Sequence, residues 1–261
     1  MIREIVVADF EYEIAPGERP APVCVVAHEL YSGRRFRLMA PLPASPPWAT
    51  GSDVLFVAYY ASAELGCFLI LDWPMPARIL DLYAEFRWLT NGYPVNRSLL
   101  GALTFFGLNG IGATEKKELQ TAIGTGQWRG KFTEAEILDY CESDVTATAQ
   151  LLNAMFARID LPRALLRGRY VKAVSAMEHA GVPLDVPLLD QLLAAWPHIQ
   201  DHLIAAVDVD FGVYDGRTFK LDRFEAYLAR NGMAWQRLES GQLDLSDDTF
   251  AEMAQIYPQI A

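Results

Sequence analysis

The chain has 261 residues, 52% hydrophobic and 21% charged, with a formal net charge of −11. That balance belongs to a globular protein rather than a disordered one, and the length allows one large domain or two of ordinary size. The acidity excludes a basic coat that wraps duplex nucleic acid without sequence preference.

In chain order, Ile5 to Tyr12 reads as a strand that carries acids at alternate positions, Asp9, Glu11 and Glu13. Residues two apart in an extended chain share a face, so Asp9 and Glu11 stand side by side. Taken alone, the pair fits either a solvated acidic face on an edge strand or a divalent metal site. Buried like charges are costly without a cation between them. Ala21 to Leu30 is a second strand, and the turn at Ser32-Gly33 leads to a third, so the two form a hairpin. Pro41 to Gly51 is a proline-rich loop. Asp53 to Tyr60 is a continuous apolar run, as expected of a central strand covered on both faces. Ser62 to Leu71 follows as a short helix with Ser62 as its N-cap. Ala77 to Leu82 is another buried strand, and its Asp81 is expected to cap the next helix.

From there to Leu152 the pattern is mainly helical. Thr133 and Glu136 have capping-box spacing and open the clearest helix. On it Tyr140 and Asp144, four apart, share one face, which Thr148 continues. An antiparallel meander followed by alternating strand and helix implies an α/β mixed sheet flanked by helices. Beyond about Asp160 the character changes to helical segments with no acid cluster at catalytic spacing. The expected division is therefore 1–160 and 161–261. Cys24, Cys67 and Cys141 have neither paired nor zinc-binding spacing, which points to buried thiols in a reducing compartment. No apolar run reaches membrane-spanning length and no signal-peptide segment opens the chain, so a cytoplasmic location without a membrane partner is expected.

The order of these signals resembles the DEDD 3′→5′ exonucleases over roughly the first 160 residues. Asp9 and Glu11 match the first motif as "ADFEYE", and Tyr140 and Asp144 match the third as "YCESDV". Tyr140 lies four residues before Asp144, and Asp139 occupies the position five before, where the histidine variety has its base. The resemblance is thus to the tyrosine variety, DEDDy. The second motif departs from the family pattern of Asn, two or three residues, an aromatic and Asp. Ala63-Glu64 stands where the aromatic-Asp pair is expected, and the Asn is missing from "YYASAELGCFL". Glu64 is the aligned acid, one methylene longer, and Asp81 is the substitute if Glu64 is not the ligand.

The resemblance implies a ribonuclease H-like mixed five-stranded sheet flanked by helices, plus a mostly helical C-terminal segment. It also implies two divalent ions, Mg2+ or Mn2+, held by Asp9, Glu11, Glu64 and Asp144 about 3.5–4 Å apart. Tyr140 would hydrogen-bond the attacking water. The segment Arg169 to Asp185, with Met177, Glu178, Gly181, Val182 and Asp185, resembles the stretch after the exonuclease domain of family A DNA polymerases. Ser240 to Ala254 is more loosely similar to the start of their thumb. No palm or fingers motif follows, so the chain is read as a proofreading portion whose partner is a C-terminal polymerase domain missing from this chain. The expected substrate is a single-stranded DNA 3′ end. Two alternatives stand beside it: a catalytically silent domain that binds the primer end or scaffolds the polymerase, and a ribonuclease D-like exoribonuclease.

Other features are softer. Lys116, Lys117, Arg129 and Lys131 surround Trp128, a set that would steer a single strand and stack a base. A solvated loop before a helix explains them equally well. Phe10 and Tyr12 point away from the acids in a regular strand, so packing is the first reading of Phe10 and substrate contact the second. His198 and His202 are i, i+4 on a helix without a third ligand, which favours a surface pair.

Overall fold

The computed structural model describes residues 1–108 and 113–260, and of 113–117 the backbone only. Five strands form one sheet: β1 (Glu4–Glu13), β2 (Ala21–Glu29), β3 (Arg35–Met39), β4 (Val54–Ala58) and β5 (Ile79–Asp81). Their order is β3-β2-β1-β4-β5. β2 runs antiparallel to both β1 and β3, whereas β4 runs parallel to β1 and β5 parallel to β4. This is the ribonuclease H-like mixed sheet expected from the motifs.

Period-two alternation divides the sheet's side chains between two cores. Val6, Ala8 and Phe10 of β1 face α1 (Ser62–Ile70), meeting its Leu65 and Phe68 along with Trp48 and Trp73. Val7, with Cys24 and Val26 of β2, faces α5 (Glu134–Met155) and meets Ile137, Cys141, Val145 and Leu151. Every residue of β4 is buried, as its continuous apolar run requires. The alternation of β1 holds through Glu11, and a bulge breaks it between Glu11 and Tyr12. Asp9 and Glu11 therefore share Val7's parity and the α5 side.

Of the three helix starts that the sequence marks, two follow local chemistry and one does not. Thr133 and Glu136 form a reciprocal capping box, the Thr133 N–H donating to Glu136 Oε2 at 2.7 Å. Asp81 caps α2 (Leu82–Leu89), its Oδ1 accepting from the Tyr83 N–H at 2.9 Å. Ser62 is not an N-cap: Ala61 holds that position without a side-chain bond, and Ser62 is the first helical residue. The reason lies in the turn before it. Tyr60 adopts φ 71°, and its N–H donates to Asp81 Oδ1 at 3.1 Å, so an acid from the neighbouring strand ties down the entry that a local cap would have held.

Three further helices complete the first compact unit, Met1–Gly181. They are α3 (Leu99–Phe105), α4 (Ala113–Gly124) and α6 (Leu161–Ala180). α6 lies against β5 at Gly168, where an added Cβ would sit 2.0 Å from the Ile79 carbonyl oxygen. Beside that contact Arg167 makes two bonds of 2.6 Å to the buried carboxylate of Glu85.

The second unit, Val182–Ala261, is mostly helical. Asp185 caps α7 (Val186–Phe211), accepting from the Leu188 N–H at 3.0 Å. His198 and His202 are both exposed on it. A hairpin of β6 (Tyr214–Asp215) and β7 (Thr218–Phe219) leads to α8 (Leu221–Arg230) and α9 (Asp247–Ile256). Their small core is Val213, Phe224, Tyr227, Leu228, Met233 and Leu243. Among the described residues no helix is long and apolar enough to cross a membrane.

Candidate metal centre

Three elements contribute acids to one cluster. β1 supplies Asp9 and Glu11, the first turn of α1 supplies Glu64, and α5 supplies Tyr140 and Asp144 one helical turn apart. One oxygen each of Asp9 and Glu11 and the Cys141 sulfur lie within 4.8 Å of one another. Cys141 Sγ is 3.2 Å from the Asp9 carbonyl oxygen and 3.5 Å from Asp9 Oδ2.

The electrostatics follow from burial and like charge. The Glu11 carboxyl is pushed well above the usual range, first by burial, then by Asp9, Cys24, Asp144 and Glu64. Glu64 is pushed up by burial and by Asp9, with its own backbone N–H partly offsetting them. Each acid makes its neighbour harder to ionise, and a divalent cation would reverse that penalty. Tyr140 is pushed above the usual tyrosine range by burial, then by Glu11, Asp144 and Asp9, and by its hydrogen bond with Asp144. It is therefore a protonated donor near neutral pH.

A cation fits these residues. Glu64 is 3% exposed, and among the described residues its Oε2 is buried with no hydrogen-bond partner. An unsatisfied buried carboxylate oxygen costs stability in the protein alone and is a ready ligand for a hard ion. Carboxylate oxygens suit Mg2+ or Mn2+. Asp81, the alternative acid, is already committed: its Oδ1 accepts from the N–H groups of Tyr60, Tyr83 and Ala84.

Four of the softer candidates have partners among the described residues. Phe10 is 4% exposed, and its ring packs edge-on with Phe68 and Trp73, each at 5.9 Å, as the packing reading expected. Trp128 is half-buried, and its Nε1 donates to Glu13 Oε1 at 2.8 Å. Arg129 bonds the same carboxylate oxygen at 2.5 Å and lies 4.5 Å from the Trp128 ring centroid. Lys131 pairs with Glu118 at 2.8 Å. Lys116 and Lys117 lie outside the described side chains.

Sequence reasoning did not single out two features of the site. Arg37 of β3 pairs with Asp139 at 2.6 Å and also with Glu142, which Arg35 reaches at 2.5 Å. This clamp fixes the α5 turn that carries Tyr140. Cys141 enters the acid cluster although an isolated cysteine carries no spacing signal; its one clue was adjacency to Tyr140.

No protein-family model matches the chain, and no curated protein does. Solved structures do. The POL domain of Pol1 from M. smegmatis, in complex with a DNA primer-template and dNTP, aligns with 99% of this chain at 12% identity and a TM-score of 0.61. This chain spans 43% of that one. Trypanosoma brucei RNase D aligns with 94% of this chain and 80% of its own, at 12% identity and a TM-score of 0.53. Its complex with RNA U12 aligns at 13% identity and a TM-score of 0.51, over 96% of this chain and 80% of its own. At such identities the likeness is one of fold alone.

Proposed function

We propose that the chain is a metal-dependent 3′→5′ exonuclease that hydrolyses DNA 3′ ends and releases nucleoside monophosphates. The observation that carries this reading is the partly buried Glu11, one oxygen of which lies within 4.8 Å of a carboxylate oxygen of Asp9, and whose carboxyl is raised by Asp9, Asp144 and Glu64 together although the four residues come from three separate elements. Asp9, Glu11, Glu64 and Asp144 are the proposed ligands of two divalent ions. When bound, such a pair supplies an activated water and neutralises charge on the leaving oxygen. Tyr140, kept protonated, donates a hydrogen bond and orients the water or the phosphate; it does not act as a base.

DNA is the preferred substrate because of the Met177 to Asp185 segment, which ends α6 and caps α7. Residues 1–160 carry every proposed catalytic group. Residues 161–261 are read as the thumb-side part of a family A polymerase, with a polymerase domain as partner. The likeness to RNase D, over 80% of that chain, favours RNA as the second reading. A catalytically silent domain is the third, suggested by Glu64 in place of Asp.

The test offers matched 3′-labelled DNA and RNA single strands with Mg2+ or Mn2+, with and without chelator. Mononucleotides should leave the DNA 3′ end and stop on chelation, and Asp9→Ala and Asp144→Ala should each slow release on the order of 10³-fold. Faster attack on RNA selects the RNase D-like reading. No release from either strand selects the silent one, and full activity in both variants rejects the site.

A further inference from the structure

Cys141 has no part in the proposed phosphodiester chemistry, yet it stands inside the acid cluster. It is fully buried, and its sulfur is 3.5 Å from Asp9 Oδ2. Cys24 faces Glu11 across the β1–β2 pair, and its thiol is a hydrogen-bond neighbour of Cys141.

We propose that Asp9, Glu11 and Cys141 form a mixed oxygen–sulfur site for a thiophilic divalent ion of the zinc or cadmium kind, with the Cys141 thiolate as a ligand. Zinc bonds sulfur at about 2.3 Å and carboxylate oxygen at about 2.0–2.2 Å, so at the tetrahedral angle the two ligand atoms stand about 3.6 Å apart. The Cys141 to Asp9 separation of 3.5 Å is that edge. The Glu11 oxygen, within 4.8 Å of both, closes the set with a small side-chain rotation. An independent observation also points to a cation here: Glu64, in electrostatic contact with Asp9 and Glu11, keeps its buried Oε2 without a partner among the described residues.

The choice of ion follows from the sulfur. Magnesium and manganese prefer oxygen and gain little from a thiolate, whereas zinc and cadmium gain strongly. Binding breaks the Cys141 S–H bond, forms a metal–sulfur bond and releases the proton to solvent. The site shares Asp9 and Glu11 with the exonuclease reading and adds the Cys141 sulfur. A thiophilic ion seated here would compete with the hard ions for Asp9 and Glu11.

The test is titration of the full chain with Cd2+, following the ultraviolet charge-transfer band of a cadmium–thiolate bond. The band should form at one equivalent in the wild type, persist in Cys24→Ser and vanish in Cys141→Ser. Asp9→Asn, with all thiols intact, should weaken cadmium binding about tenfold or more, which keeps the proposal falsifiable if the serine variant fails to fold. No band in the wild type, a band that survives in Cys141→Ser or disappears in Cys24→Ser, or unchanged affinity in Asp9→Asn overturns it. The nuclease assay with Mg2+ is read separately. Hydrolysis without the band defeats only the thiol site, and the band without hydrolysis defeats only the exonuclease reading.

Discussion

Asp9 and Glu11 sit on one strand face and act on each other through buried surroundings. Without a cation their repulsion opposes folding. Asp9→Asn should therefore raise the melting temperature in chelator by about 2–4 °C, as expected for roughly 1 kcal/mol in a chain of this size. It should also shrink the rise that Mg2+ or Mn2+ produces in the wild type. Scanning calorimetry checks both, and a fall in chelator would count against the crowded acid pair. Tyr140→Phe keeps the ring and removes the donor, so kcat should drop about 10- to 100-fold; an unchanged kcat would remove Tyr140 from the chemistry. The acids were readable because alternation is a property of neighbours in sequence. Glu64 and Cys141 were harder: their importance lies in an oxygen with no partner among the described residues and a sulfur near Asp9, and both depend on elements distant in the chain.

The β2–β3 hairpin is held by a buried carboxylate. Glu29 is 1% exposed and accepts from the N–H groups of Ile5, Tyr31 and Ser32. Burial alone would raise its pKa, but these bonds and the Ser32 hydroxyl outweigh it and hold the group at about 2. A carboxyl whose folded pKa is depressed contributes stability that is present above the unfolded value, near 4.5, and lost as pH falls toward 2. Glu29→Gln should thus cost on the order of 2 kcal/mol at neutral pH, and the gap to wild type should close as pH falls through that window. Urea melts at several pH values measure this; a gap constant with pH would defeat the argument. The hairpin and the Thr133 capping box were evident from turn and cap residues a few positions apart. The start of α1 was not, because the acceptor that replaces a local cap comes from β5.

At the scale of the molecule, α6 joins the first unit through a contact that only glycine permits. Gly168→Ala would drive a methyl into the Ile79 carbonyl, and overpacking of this kind costs about 1–3 kcal/mol. The melting transition of the first unit should fall accordingly, while the second unit, with its own aromatic core, should melt as before. Hydrogen exchange resolved by segment would report both, and unchanged protection of β5 and α6 would refute the tight docking. The change in composition near Asp160 gave no hint of this contact. α6 is an ordinary helix by pattern, and its attachment is decided by one missing side chain opposite a carbonyl.

The amino-acid order alone determined the strand run of β1, the hairpin, the buried β4, the capped start of α5, and the spacing of Asp9, Glu11, Tyr140 and Asp144. Each of these is written in residues within a turn or a strand of one another, where alternation, capping and turn chemistry act. Only the tertiary structure decided that Phe10 packs inside, that Trp128 and Arg129 share the Glu13 carboxylate, that Asp81 commits an oxygen to backbone N–H groups, and that Glu64 Oε2 is buried without a partner among the described residues. Those outcomes depend on which distant groups arrive within hydrogen-bonding or Coulomb range, and short-range pattern carries no information about arrival.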